Sequence, residues 1–109
     1  MTTNEAKEFA TRLHNVGGWT PGRLTWKEVR IRVAMNGRQK YDSAVSVVHA
    51  EVVSDGKGNE SLVLHEQHPS DPNKMVPALS GPIAAFKEDG AALEVNLDIP
   101  GVQLMESRL

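Results

Sequence analysis

The chain has 109 residues, 39% apolar and 24% charged, with no cysteine and a formal net charge of −2. That length fits one globular domain, and the absence of cysteine excludes disulfides, thiolate metal sites and a cysteine nucleophile. The small net charge hides a division: residues 1–40 carry eight Lys/Arg against three Glu, and residues 41–109 carry four against eleven Asp/Glu.

Thr2 stands three residues before Glu5, the spacing of a capping box, in which hydroxyl and carboxylate each accept a hydrogen bond from the first helical turn. Ala6, Phe9, Ala10, Leu13 and Val16 then recur at three- and four-residue steps, and Gly17-Gly18 supplies a stop, so the sequence predicts a helix over 3–16. Pro21 and Gly22 mark a turn after it.

Three β-rich runs follow at about 24–35, 41–53 and 61–66, separated by Asn36-Gly37 and by Asp55-Gly56-Lys57-Gly58-Asn59. A two-residue turn at Asn36-Gly37 would set Val33 opposite Lys40 and spoil the apolar face. A longer loop is therefore expected, pairing Met35 with Tyr41, Ile31 with Val45 and Val29 with Val47. The run 41–53 is apolar or small on both faces, which predicts a central strand. Residues 67–82 hold four prolines and read as a loop through which neither helix nor sheet should run. Residues 83–87 fit a short helix or a strand, with a slight preference for the strand. Leu93, Val95, Leu97 and Ile99 alternate with polar residues and predict a strand over 92–99, with a ragged tail beyond.

These elements define a single α+β domain over 1–109, with an N-terminal helix packed on an antiparallel β-meander sheet of four to five strands. Its expected core is Phe9, Leu13, Val29, Ile31, Val33, Val45, Val47, Leu62, Leu64, Leu93, Val95 and Leu97.

On a strand, Arg30 and Arg32 face one way, while Val29, Ile31, Val33 and Met35 face the other. With Trp26 in the same stripe and Arg38 and Lys40 at its end, this makes a partner-binding face, because Arg and Trp anchor many protein interfaces. Val48 and Val52 add aliphatic area on that face for a second copy or another protein to cover. The leading expectation is thus a non-catalytic protein-binding or self-associating assembly module. Its size suggests a phage or mobile-element accessory protein, an inhibitor of a host system or a particle component.

A single-stranded nucleic-acid-binding domain ranks second: Trp26 would stack a base and the arginines would hold phosphates, but Glu28 shares the stripe and the chain is slightly acidic. A His-dependent metal enzyme ranks third. His65-Glu66-Gln67-His68 has a spacing of three rather than the four of the helical zinc-protease motif, and Pro69 follows it. No metal ligands are assigned; His65, His68 and His49 are weak candidates, with Glu51 or Asp71 as further donors. Asp55 to Glu60 resembles a calcium loop only in composition. No serine elbow or phosphate-cradling glycine loop occurs, so no enzyme and no cofactor is expected. The early acids and the short apolar runs predict neither a signal peptide nor a membrane span, and a cytoplasmic location, or the virion for a phage product.

Overall fold

The computed structural model describes residues 1–16, 18–20, 23–25, 27–71, 73–90 and 92–104. Helix α1 spans Thr3–Val16. Its capping box forms as expected: the Thr2 N–H donates to Glu5 Oε1 at 2.9 Å and the Glu5 N–H to Thr2 Oγ1 at 3.1 Å. Ala6, Ala10 and Leu13 are buried, and Phe9 packs against the core they join.

The run expected over 24–35 is two strands. Strand β2 (Arg23–Thr25) forms a small antiparallel hairpin with β1 (Gly18–Thr20), and β3 (Lys27–Met35) pairs with β4 (Arg38–Val47). The β3–β4 turn corrects the expected register. Asn36 and Gly37 both have positive φ, 55° and 74°, and close a two-residue turn with Met35 opposite Arg38. A bulge between Val33 and Ala34 then takes Lys40 out of the ladder, so Val33 meets Tyr41 and Val29 meets Val45. One extra residue restores the apolar face that the short turn alone would have spoiled.

The run 41–53 is likewise divided, and it is not a central strand. β4 ends at Val47, Val48 makes the corner, and β5 (His49–Ser54) enters a different sheet; each strand lies at an edge of its own sheet. Val48 is buried, with its N–H donated to the His65 carbonyl at 2.9 Å. Apolar residues on both faces of this run thus reflect a change of sheet, and Val48 needs no cover from outside the chain.

β5 turns through residues 55–59 into β6 (Glu60–Gln67), and β6 pairs with β7 (Met75–Pro82). β7 occupies half of the stretch expected to be loop. Proline is tolerated where a ladder is interrupted: Pro77 lies opposite His65 beside a bulge, and Pro82 ends the strand. The true loop is 68–74, closed by the His68 N–H donating to the Lys74 carbonyl at 2.8 Å.

Residues 83–87 resolve as one turn of 3-10 helix (Ile83–Ala85) leading into β8 (Phe86–Asp89), which forms a hairpin with β9 (Ala92–Asn96). β9 stops three residues short of the expected end. There the Leu97 N–H reaches the Ala34 carbonyl at 2.8 Å, and both Asp98 carboxylate oxygens accept the Asn36 N–H at 3.1 Å. β9 pairs with β3 in parallel, Ile31 opposite Leu93 and Val33 opposite Val95. Part of the expected tail forms β10 (Gln103–Leu104), which adds to β7.

The class is α+β, with one N-terminal helix and antiparallel-rich sheets. Strands β3 to β10 form two four-stranded sheets, ordered β4-β3-β9-β8 and β10-β7-β6-β5. Leu62 and Leu64 from one sheet and Val33, Val47, Phe86, Leu93 and Val95 from the other share one core. α1 packs against β5.

Candidate metal centre

The arginine face is present, and its charge is met within the chain. Arg30 Nε lies 2.8 Å from Asp42 on β4, and Arg32 lies 3.2 Å from Asp89 on β8 and 3.6 Å from Glu94 on β9. Arg12 on α1 pairs with Glu88. Basic residues of the first forty thus fold against acids from the rest of the chain, which removes much of the one-dimensional charge division. Each exposed pair contributes little to stability, about 0–1 kcal/mol. Arg38 and Lys40 are exposed in β4 and form no ion pair among the described residues. Trp26 lies outside the described residues.

The second cluster lies on the outward face of the β10-β7-β6-β5 sheet. His49 opens β5 immediately after the Val48 corner, and Glu51, two residues on, shares its face. Across the hairpin His65 on β6 stands directly opposite His49. The two rings have centroids 5.3 Å apart and are tilted by 46°. His49 Nε2 lies 3.8 Å from one Glu51 carboxylate oxygen, and His65 Nε2 lies 3.8 Å from the other. All three donor atoms fall within 4.8 Å of one another.

Burial and the neighbouring carboxylate act in opposite directions on both imidazoles. His65 is the one buried polar or charged side chain among the described residues, 8% exposed. Burial pushes its pKa below the ordinary histidine value, opposed by Glu51 and the His49 backbone. Burial and the neighbouring His65 likewise push His49 down, against Glu51. Neutral imidazoles keep the lone pair that a metal ion requires. His65 Nδ1 is itself buried and meets no partner at hydrogen-bond geometry.

The donor set fits an ion. Zinc holds imidazole nitrogen and carboxylate oxygen at about 2.0–2.2 Å, which puts tetrahedral ligand atoms roughly 3.3 Å apart. Separations of 3.8 Å and up to 4.8 Å close to that value by small side-chain rotations.

Of the sequence candidates, His65 and His49 come together with Glu51, and His68 does not join them. His68 Nδ1 accepts the Ser70 N–H at 3.0 Å, and Asp71 accepts the Asn73 N–H at 2.9 Å, so both serve the 68–74 loop. The Asp55 carboxylate is taken up by the Lys57 and Asn59 N–H groups and the Asn59 amide, at 2.7, 3.2 and 2.8 Å. It closes the 55–59 turn.

A separate cleft of about 610 Å³ runs past Arg32, Phe86, Lys87, Glu94 and Asp98. Its acids are already engaged, Glu94 by Arg32 and Asp98 by the Asn36 N–H. No helix among the described residues is long and apolar enough to cross a membrane. Comparisons with family models, curated proteins and solved structures find no match, so the functional reading rests on the site itself.

Proposed function

We propose that this chain binds a divalent transition-metal ion between His49, Glu51 and His65. The observation that carries the reading is the convergence of two imidazole Nε2 atoms on the two oxygens of one carboxylate, each at 3.8 Å. Two nitrogens and one oxygen favour zinc, cobalt, nickel, copper or ferrous iron over magnesium and calcium, which take oxygen ligands. The protein-binding face expected from Arg30 and Arg32 is outranked. Both arginines are ion-paired within the chain, and Val48 is buried inside it.

Isothermal titration with zinc tests the reading. The parent chain should bind one ion, and His49→Ala and His65→Ala should each weaken binding by at least about tenfold, the lower range seen when even a supporting partner of a metal ligand is lost. Parent protein that takes up no zinc, or alanine variants that bind it as tightly, would sink the proposal.

A further inference from the structure

Resting on that metal reading, we propose that the ion keeps a coordination position open to solvent and fills it with a small anion. The three donors come from two adjacent strands and one sheet face, so they approach the ion from one side. Exposure rises across the set, from 10% of the His65 side chain to 20% for His49 and 48% for Glu51. The ion would therefore sit above His65 with solvent on its far side. Three protein ligands leave a four-coordinate ion one vacancy, the arrangement that distinguishes exchangeable centres from closed structural ones.

Charge decides what fills the vacancy. By strand register this face also carries Val53, Ser61, Val63, Gln67, Pro77 and Ser80, all uncharged. Glu51 is the single charged side chain on the face among the described residues of β5, β6 and β7. A dication held by one carboxylate and two neutral imidazoles retains a net charge of about +1, which favours an anion over a neutral donor. Val53 and Val63 beside Glu51 lower the local polarity and strengthen that preference.

Cobalt(II) and azide make the test. The metal-free protein is loaded with cobalt, its visible absorption is recorded, retention is checked by dialysis, and azide is titrated in. The expected result is a saturable shift of the cobalt bands with a new azide-to-metal charge-transfer band, while cobalt stays with the protein. Cobalt bands that azide leaves unchanged would overturn the open position and leave metal binding standing. Azide that strips cobalt into the dialysate would also overturn it. A parent protein that retains no cobalt would overturn the metal reading together with this one.

Discussion

Replacing His65 by leucine separates the fold's interest in this position from the metal's. His65 is 8% exposed, and its Nδ1 is buried without a hydrogen-bond partner. A buried polar atom left unsatisfied costs about 1–3 kcal/mol. Leucine keeps the position filled and removes that atom. What it forfeits is the approach to the half-exposed Glu51 carboxylate at 3.8 Å and the contact with the His49 backbone, together about 1 kcal/mol. The metal-free variant should therefore be at least as stable as the parent, by up to about 2 kcal/mol. In a domain of this size that raises Tm by about 4–8 °C per kcal/mol. Zinc should reverse the order. At about 100 times its Kd it adds about 2.7 kcal/mol to the parent and nothing to a chain that has lost a ligand. Thermal unfolding followed by circular dichroism, with chelator and then with zinc, reads both effects. A metal-free variant less stable than the parent would show that His65 serves the fold. Equal zinc stabilisation of both chains would place the ion elsewhere.

Gly81→Ala should destabilise by about 1–3 kcal/mol, because an added methyl meets Val102 Cγ2 at 3.0 Å and Val102 Cα at 3.2 Å and that segment must move. Urea unfolding checks it, and a variant as stable as the parent would show that β7 and Val102 are not packed as described. Asp55 should titrate below the ordinary aspartate value, its carboxylate held by the Asn59 side chain and the Lys57 and Asn59 amides. A depressed folded pKa contributes stability that is present above the unfolded value and is lost as pH falls through the folded one, so the 55–59 turn should loosen only in strong acid. Carboxyl NMR of Asp55, with amide exchange at Asn59, reads this; a normal or raised midpoint would remove the turn's hydrogen bonds from the account.

Local chemistry made α1 legible, since the capping box and the Ala6/Ala10/Leu13 stripe need nothing beyond their own neighbours. The features that escaped all depend on distant chain. Nothing near Lys40 announces a bulge, because the bulge answers the demand that Val33 and Val29 face the shared core. The corner at Val48 is silent for the same reason, as is the parallel pairing of β3 with β9, which joins residues some sixty positions apart. The His49/Glu51/His65 cluster is partly legible in the sequence. His49 and Glu51 stand two apart in a β-rich run, which puts both on one face. A hairpin centred on Lys57 of the Gly-rich turn sets His49 opposite His65. The sequence named His49 and Glu51 as further donors beside His65 and His68, and the 68–74 loop turns His68 away.

Three departures from regular sheet geometry meet at His65. Its carbonyl accepts the N–H of Val48, the residue at which the chain leaves one sheet for the other. Its opposite neighbour on β7 is Pro77, which offers no N–H to the ladder, and the register between β6 and β7 slips between Leu64 and His65. A bulge costs ladder hydrogen bonds and re-aims the side chains beside it, and bulges concentrate next to functional sites. The extra residue of this bulge is Ala78 on β7, and beside it His65 keeps the regular face of the β5–β6 ladder, where an imidazole is a poor choice for burial on stability grounds alone and its Nε2 lies 3.8 Å from the Glu51 carboxylate. A fold selected only for packing would place an aliphatic residue at that point and keep the ladder regular. Under the proposed metal reading the buried imidazole acquires a use, because it stands where Glu51 and His49 can close with it on an ion.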